Sequence, residues 1–254
     1  MRLDLYLSEN GYAKSRTEAK NLITGGAVRI SGELVTKPSY EVFGEASVEI
    51  VKEISKYVSR GGYKLEGALL AFNASPKGRL CIDIGASSGG FTDCLLQNGA
   101  ERVIAVDSGT MQLAESLRRD SRVIVMENFN ARYMAPSDFD FTPSFAVMDV
   151  SFISATYIIK AIFDVLSENA DFICLVKPQF EVGRQLIGKG GIVKNEKHRE
   201  MALEKVIEFA KTQGFEYISY IDSPITGGDG NKEYLVHFKK TEKRFHNEKN
   251  FDNS

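Results

Sequence analysis

Residues 80–96 (LCIDIGASSGGFTDCLL) constrain the fold of this chain more than any other stretch of its sequence. The apolar run at residues 80–82 is typical of a buried strand, and it ends in the charged residue Asp83. A glycine-rich bend follows, and an amphipathic segment begins near Phe91. Strand, tight turn and helix in this order predict the opening unit of a doubly wound, mostly parallel α/β sheet. Glycines in such a turn let a ligand approach the backbone, and the helix beyond offers free N–H groups.

The spacing of the glycines narrows the class of ligand. A dinucleotide-binding G-x-G-x-x-G turn would need glycine in place of Ser87, and a P-loop would need lysine in place of Phe91. The string D-x-G-x-x-x-G-G-F instead resembles motif I of S-adenosylmethionine (SAM)-dependent methyltransferases, in which the bend holds the methionine part of the cofactor. This resemblance implies that SAM is bound by residues of the motif: Asp83, Gly85, Ser87, Gly89, Gly90 and Phe91. The alternative is a glycine-rich turn that binds no ligand.

Composition and charge set outer limits on the function. The chain has 254 residues, enough for one large or two modest domains with a substantial core. Its formal net charge of −2 gives no overall basic field, so an RNA-binding surface would have to be a local patch. Three cysteines lie far apart in apolar runs, which favours buried thiols over disulfides or a zinc site. With no apolar signal region and no long apolar run, we expect a cytoplasmic protein that binds neither membrane nor metal.

Residues 1–58 are predicted to form a small separate α+β domain. Two short helical patterns precede three short strand patterns, near residues 28–30, 34–35 and 48–51. The strings R-L-D-x-x-L and K-S-R-x-x-A-x-x-L-I-x-x-G-x-V-x-I-x-G resemble the RNA-binding S4 domain, named after a small-subunit ribosomal protein. The resemblance implies that RNA contacts a cluster near the second helix: Arg2, Lys14, Ser15, Arg16 and Lys20. Because nearby glutamates almost cancel these charges, a solvated mixed-charge face is the alternative.

Three further segments are predicted around the second domain, residues 64–240. Residues 59–63 form a short linker, and an amphipathic helix opens at Lys64. Another helix is expected at residues 112–119. The polar tail at residues 241–254 is expected to be disordered.

Charged or polar residues follow the predicted strands of the second domain. Asp107 ends the second strand, where an acidic residue of a nucleotide-binding fold accepts hydrogen bonds from ribose hydroxyls. Asn128 follows the third strand, where methyltransferases commonly contact the adenine edge, although loop polarity alone also explains asparagines here. Asp149 and Lys177 follow the fourth and fifth strands. Because the carboxyl ends of parallel strands form one ligand crevice, we expect both side chains to converge on the glycine-rich bend.

A glycine-bearing basic segment lies between Glu181 and Arg199. Its cationic side chains include Arg184 and Lys189, which are predicted to hold an RNA phosphate backbone near the crevice. The alternative is a surface insertion with no ligand.

Nearly the whole chain resembles the TlyA family, historically labelled hemolysin A. Members of this family join an S4 domain to a ribose 2′-O-methyltransferase of the RrmJ/FtsJ type. Besides motif I, the matching strings are S-R-G-G-Y-K-L at 59–65, M-D-V-S-F-I-S at 148–154, L-V-K-P-Q-F-E at 175–181 and N-K-E-Y at 231–234. The Lys-Asp-Lys-Glu tetrad of FtsJ-type enzymes maps onto Lys64, Asp149, Lys177 and Glu233.

The resemblance implies a Rossmann-like, SAM-dependent methyltransferase that acts on ribosomal RNA or ribosomal subunits, with no obligate protein partner. Its implied target is a ribose 2′-hydroxyl, of cytidine by resemblance. A ribose hydroxyl is a weak acid, and Lys177 is the implied base that removes its proton during the attack on the methyl group. Asp149 is expected to serve both the tetrad and the cofactor site.

Three other functions compete with this interpretation. The first is an RNA-binding protein without catalytic turnover, against which the intact tetrad argues. The second is a membrane-active hemolysin, as the family label suggests. The third is a nicotinamide-dependent oxidoreductase, which Ser87 disfavours.

Overall fold

A computed structural model describes residues 1–44, 46–50, 56–228 and 230–241 of the chain. The chain divides into two compact units, Met1–Arg60 and Gly61–Ser254. Of the predicted polar tail, residues 242–254 lie outside the described residues. No helix in the described part of the chain is long and apolar enough to cross a membrane.

The first unit is a small α+β domain, as predicted. Its elements in chain order are α1 (Leu3–Glu9), α2 (Arg16–Thr24), β1 (Val28–Ile30), β2 (Glu33–Leu34) and β3 (Val48–Ile50). The three strands form an antiparallel sheet in the order β2-β1-β3. The apolar faces of both helices pack on this sheet, and their buried residues include Leu3, Leu7, Ala19 and Ile23. The last residue of the predicted third strand, Val51, is outside the described residues.

The second unit is built on a seven-stranded sheet in the order β6-β5-β4-β7-β8-β10-β9. The strands are β4 (Leu80–Ile84), β5 (Arg102–Val106), β6 (Val123–Met126), β7 (Phe145–Met148), β8 (Asp171–Val176), β9 (Phe215–Asp222) and β10 (Tyr234–Lys240). Strands β4 to β8 are parallel, whereas β10 runs antiparallel to β8 and to β9. This is the mostly parallel sheet of the predicted Rossmann-like fold.

The described part of the second unit contains six α-helices, of which the first precedes β4 and the others lie between strands. They are α3 (Gly61–Ala71), α4 (Gly90–Gln97), α5 (Glu115–Arg118), α6 (Thr156–Val165), α7 (Pro178–Glu181) and α8 (Glu196–Thr212). Helix α3 begins three residues before Lys64, so residues 61–63 are helical and not part of a linker as predicted. Gly61 and Gly62 stand in the first turn of α3, and the entropic cost of glycine applies mainly to the middle of a helix.

The order of the parallel strands fixes the position of the site. In the sheet, β5 and then β6 lie on one side of β4, and β7 and then β8 lie on the other side. Right-handed crossovers on the two sides of β4 place their helices on opposite faces of the sheet. The carboxyl ends of β4 and β7 therefore border a crevice at the point where the strand order reverses, which is the ligand position of open α/β sheets.

Candidate active site

The turn after β4 brings the ends of three strands together. The N–H groups of Gly85 and Ala86 donate to the carbonyl of Val106 at the end of β5, at 2.8 and 3.0 Å. Gly85 has a φ of +82°, and a Cβ at this position would collide with the carbonyl group of Asp149, 2.9 Å from its carbon. Glycine is therefore required at residue 85 for two reasons, its backbone conformation and the close approach of β7.

Beside this turn lies a cavity of about 450 Å³. Its volume falls in the range of small-molecule sites in proteins, roughly 300–1,000 Å³. The wall combines apolar side chains with carboxylates and polar groups from the ends of β4 to β7. Among the lining residues are Ile84, Gly85, Ser87, Asp107, Gly109, Gln112, Phe129, Asn130, Asp149, Val150, Phe152 and Ile158.

Asp107 organises one side of the cavity. Its Oδ2 atom accepts a hydrogen bond from the Ser87 N–H at 2.8 Å, and its Oδ1 atom accepts one from the Gly109 N–H at 2.7 Å. Each carboxylate oxygen keeps a second lone pair, which can accept a hydrogen bond from a hydroxyl group of a ligand.

Glu127 holds the loop at residues 108–114, a role that no sequence pattern indicated. Its carboxylate accepts hydrogen bonds from the N–H groups of Met111 and Gln112 at 2.8 and 3.0 Å, and from Arg118 at 2.6 Å. The Arg118 guanidinium and these backbone donors lower the pKa of Glu127 to about 2. Because the carboxylate fixes residues 111–113 outside a helix, α5 begins at Glu115 and is shorter than the predicted helix at residues 112–119. The Gln112 side chain, also not predicted, lines the cavity.

Five of the predicted cofactor-binding residues do not line the cavity: Asp83, Gly89, Gly90, Phe91 and Asn128. Phe91 is buried in the protein interior. A Cβ at Gly89 would collide with Leu117 of α5, so this glycine serves packing. Asn128 is exposed, and its N–H donates to the Gly109 carbonyl at 2.9 Å. The asparagine that lines the cavity after β6 is Asn130. Spacing could not separate the two asparagines, because both follow the same strand.

Asp83 lies under the glycine-rich turn. Its side chain is fully buried, and its Oδ2 atom accepts a hydrogen bond from the Thr92 hydroxyl of α4 at 2.6 Å. The Oδ1 atom has no hydrogen-bond partner among the described residues. Burial raises the pKa of the Asp83 carboxyl to about 7, although the Thr92 hydroxyl acts in the opposite direction. Asp83 thus holds the first turn of α4 through Thr92. Because the carboxyl is buried, its ionisation costs free energy of folding.

A pH-dependent contribution to stability follows from the raised pKa of Asp83. The folded state keeps this proton up to a pH near 7, whereas the unfolded carboxyl loses it at its ordinary pKa of 3.8. The contribution of Asp83 to stability is therefore complete below pH 3.8, falls as the pH rises, and is lost above pH 7. We expect the Tm of Asp83→Asn to rise relative to that of the parent as the pH increases from about 4 to about 7. Asp140→Asn, at an exposed aspartate, is the control. If the Tm difference between Asp83→Asn and the parent were as independent of pH as that of the control, the raised pKa of Asp83 would be contradicted.

Strand register brings three members of the predicted tetrad to one edge of the sheet. Asp149 directly follows β7, Lys177 directly follows β8, and Glu233 directly precedes β10. Strands β7 and β8 are neighbours, and Val176 of β8 is paired with Tyr234 of β10. Lys177 and Glu233 are thus one step beyond the last antiparallel pair, at the carboxyl edge of the parallel strands.

The four tetrad residues form two amine–carboxylate pairs. The Lys177 Nζ atom lies 2.5 Å from Asp149 Oδ1 and donates to the Ser151 hydroxyl at 2.8 Å. The Lys64 Nζ atom, on α3, donates to Glu233 Oε2 at 2.5 Å. Lys64 is 8% exposed and Glu233 is 4% exposed, so the second pair is nearly free of water. Asp149 belongs to the first pair and also lines the cavity.

An aromatic groove of about 390 Å³ adjoins the cavity and shares Phe152 with it. The Phe152 side chain is 92% exposed, and its backbone has a φ of +65°, which is unusual for a bulky residue. Its ring centroid is 5.3 Å from that of Phe180. The Arg132 guanidinium lies over the Tyr157 ring, 4.6 Å from its centroid. The groove thus combines an exposed aromatic ring with an arginine–tyrosine pair, and such a surface is suitable for stacking a nucleobase.

In the first unit, Asp4 forms ion pairs with two of the predicted RNA-binding residues, Arg2 and Arg16. Its buried carboxylate accepts hydrogen bonds from Arg2 at 3.0 and 3.1 Å and from Arg16 at 3.0 Å. Hydrogen bonds from Arg2 and Arg16 lower the pKa of Asp4 to about 2 despite its burial. Both arginine side chains are about half exposed, at 44% and 51%, so each still presents donors to solvent.

The other predicted RNA-binding residues differ in their structural roles. Ser15 caps α2, because its side chain accepts a hydrogen bond from the Glu18 N–H at 3.2 Å. Lys14 and Lys20 are exposed. In the second unit, Arg184 and Lys189 are exposed on the loop at residues 182–194, which we call the basic loop.

Comparisons with known proteins agree with this architecture. The profile of the family described as FtsJ-like methyltransferase matches residues 57–240, and that of the S4 domain matches residues 1–46. The chain is 42% identical to a Mycobacterium tuberculosis protein named 16S/23S rRNA (cytidine-2′-O)-methyltransferase TlyA, over 92% of this chain and 88% of the relative. It is 44% identical to Hemolysin A of Brachyspira hyodysenteriae, over 94% and 99%. A solved Streptococcus thermophilus structure, named as a hemolysin, is 45% identical, with a TM-score of 0.76 and coverage of 95% and 89%.

Proposed function

The chain belongs to the FtsJ-like methyltransferase family, and from this premise we propose that it methylates ribose 2′-hydroxyls of ribosomal RNA, with cytidine as the target nucleotide. It is a SAM-dependent methyltransferase, as its membership of this family shows. The name of the Mycobacterium tuberculosis relative supports both the ribosomal RNA substrate and the cytidine target. The observation that carries the proposal is the Lys177–Asp149 pair at the border of the cavity.

The residues around the cavity fit SAM. The Asp107 carboxylate can accept hydrogen bonds from ribose hydroxyls, as the acidic residue after the second strand does in nucleotide-binding folds. Phe129 and Ile158 give an apolar wall for the adenine ring. Gly85 leaves the turn free of a side chain where the ligand would pass the end of β7. When bound, SAM supplies an electrophilic methyl group on a positively charged sulfur.

Lys177 is the residue that acts on the target hydroxyl. Its Nζ atom donates a hydrogen bond to Ser151 and lies in ion-pair contact with Asp149, so both neighbours fix the amine at the border of the cavity. To act as the base, Lys177 would first release a proton to solvent; its amine would then take the proton of the 2′-hydroxyl as the oxygen bonds to the methyl carbon and the bond from that carbon to sulfur breaks. Base assistance of this kind contributes about 10²–10⁴-fold, and correct orientation of the two reactants contributes about 7–11 kcal/mol. Because orientation is the larger effect, the carboxylate that fixes Lys177 matters as much as the amine itself.

The Lys64–Glu233 pair completes the charged edge. A buried ammonium next to a buried carboxylate is stabilised only while both partners are present. The pair connects α3 to the residue before β10. A second amine at this edge of the sheet would stabilise the negative charge that develops on the attacking oxygen.

The aromatic groove would hold the target nucleobase. A nucleotide that presents its ribose to Lys177 has to leave the base stack, and a protein compensates by stacking the base on an aromatic ring. Phe152 is exposed at the border of the cavity and is suited to this role. Stacking of this kind is worth about 1–3 kcal/mol per base.

Methyl transfer to ribosomal subunits from a strain without this protein tests the proposed function. Purified protein and SAM with a labelled methyl group are expected to label the RNA of at least one subunit. The labelled nucleotide should resist alkaline cleavage at its 3′ side, because this cleavage requires a free 2′-hydroxyl, and nuclease digestion should release 2′-O-methylcytidine. Label on a base atom, or on neither subunit, would contradict the proposal.

The two exposed lysines of the first unit provide a test of RNA binding. Arg16 is unsuited because its loss would remove a partner of the buried Asp4 carboxylate. We expect the Lys14→Ala/Lys20→Ala variant to bind ribosomal RNA more weakly, with a smaller dependence on salt concentration, by about one unit of log–log slope per lysine. Filter binding across a salt series measures this slope, and SAM affinity should not change. Lys77→Ala, at an exposed lysine before β4, is the control, and equal slopes for parent, variant and control would exclude phosphate contacts at these lysines.

A further inference from the structure

Asn231 is a buried amide outside the tetrad and outside the cavity. It is 1% exposed and lies three residues before β10. Its Oδ1 atom accepts a hydrogen bond from the Val193 N–H at 3.0 Å, and its Nδ2 atom donates to the Gly191 carbonyl at 2.9 Å. The side chain thus uses its donor and its acceptor on the backbone of one segment, about 40 residues earlier in the chain.

That segment is the basic loop. The Gly188 N–H donates to the Ile192 carbonyl at 2.9 Å, which closes a tight turn with Lys189 inside it. The two hydrogen bonds from Asn231 are made to Gly191 and Val193, the residues on either side of Ile192. They are buried or partly buried, so their loss would leave polar groups without partners.

Asn231 also belongs to the segment that carries Glu233. Its carbonyl accepts a hydrogen bond from the Gly227 N–H at 3.0 Å. Gly227 in turn lies against the Glu233 carboxylate, where a Cβ would come within 2.5 Å of Oε1. One residue therefore contacts the turn that carries Lys189 and the turn that packs on the buried Lys64–Glu233 pair.

We propose that Asn231 is a positioning residue that holds the basic loop in register with the Lys64–Glu233 pair, so that an RNA backbone bound by the loop presents its ribose to the site. The proposal rests on the proposed function, because it takes RNA as the ligand of the loop. Asn231 contacts neither SAM nor the reacting atoms in this scheme. Its effect passes through the cationic side chains of the loop, which include Arg184 and Lys189.

The test begins with Asn231→Ala, which removes both bonds to the loop. We expect an increase in the KM for ribosomal subunits of about 10- to 100-fold, since each buried hydrogen bond contributes up to about tenfold. Affinity for SAM should remain within about twofold, because the cavity lining does not include Asn231. Amide hydrogen exchange at residues 188–193, measured without RNA, should become faster. Asn195→Ala is the control, since Asn195 caps α8 through the Lys197 N–H and has no hydrogen bond to β10 within the described part of the chain.

A double-mutant cycle separates positioning from a purely structural role. In a background that lacks the loop cations (Arg184→Ala/Lys189→Ala), Asn231→Ala should have a much smaller effect on affinity for ribosomal subunits, because the two changes act on the same contact. Filter binding supplies this affinity without any turnover, so the cycle is informative even if methyl transfer fails. Independent effects in the cycle, or faster loop exchange with unchanged RNA affinity and KM, would overturn the proposal while leaving the proposed function intact. If the alanine variant does not fold, Asn231→Ser serves in its place, because a hydroxyl leaves a polar group beside the loop without burying a charge.

Discussion

Replacing Lys177 with methionine is expected to lower kcat for methyl transfer by at least about 10²–10⁴-fold, the usual contribution of a general base. Methionine keeps the length of the side chain and removes the amine, so the hydroxyl loses its proton acceptor. Asp149 also loses its partner at 2.5 Å, and Ser151 loses a donor. Affinity for SAM should stay within a few-fold, because the Lys177 side chain does not line the cavity. Single-turnover kinetics on ribosomal subunits, with SAM binding measured separately, provide the comparison.

Two further variants make the Lys177 result specific. Lys177→Arg keeps a positive charge beside Asp149, but arginine does not lose its proton in proteins, so it cannot act as a base. If the arginine variant turned over like the parent, Lys177 would have an electrostatic role and no role as a base. Lys160→Met removes an exposed lysine whose Nζ atom is also paired, at 2.6 Å from Asp164, and it should leave the rate unchanged. Parental turnover by the methionine variant would exclude Lys177 from the mechanism altogether.

Replacing Gly85 with alanine should disrupt the cofactor site by displacing the backbone at the end of β7. The new Cβ would collide with the Asp149 carbonyl group, which cannot move without shifting the carboxylate that pairs with Lys177. Overpacking of this kind costs about 1–3 kcal/mol, in addition to about 1 kcal/mol for a left-handed backbone without glycine. We expect SAM binding to weaken by about 10- to 100-fold and the Tm to fall. Calorimetric titration with SAM and thermal unfolding measure the two effects.

Gly78→Ala is the matched control for this prediction. Gly78 also has a positive φ, at +66°, but a Cβ there would have no neighbour within 4 Å. This variant should show the backbone cost alone, as a modest decrease in Tm with unchanged SAM affinity. If Gly85→Ala and Gly78→Ala lost the same stability and bound SAM equally well, the contact between the turn and β7 would have no role in cofactor binding.

The two ion pairs differ in the exposure of their carboxylates, whereas the Lys177 and Lys64 side chains are almost equally covered, at 11% and 10%. The Asp149 side chain is 21% exposed and lines the cavity. The side chains of Lys64 and Glu233 are 10% and 3% exposed, and the loss of one partner would leave an uncompensated buried charge. The second pair therefore stabilises the junction of α3 and β10 as well as the charged edge, and its variants need a measurement of folding beside any measurement of rate.

The sequence alone determined the local elements and the chemistry of this protein. The order of strand, glycine-rich turn and helix at residues 80–96 depends on hydrophobic periodicity and backbone conformation, and both are local properties. The same holds for the charged residues after the strands: Asp107 and Asp149 could be predicted at the crevice because the ends of parallel strands meet there. Family resemblance then supplied the tetrad residues and the two-domain organisation.

Only the tertiary structure decided which side chains meet. Lys64 pairs with Glu233 across 169 residues, and Lys177 pairs with Asp149, because the order and register of β7, β8 and β10 bring them together. No local signal distinguishes this pairing from the reverse one. The roles of Glu127 and Asn231 escaped prediction for the same reason, since a carboxylate or an amide acquires its partners from segments that fold against it. Hydrogen bonding and packing between distant segments depend on the assembled sheet, and these contacts give the site its geometry.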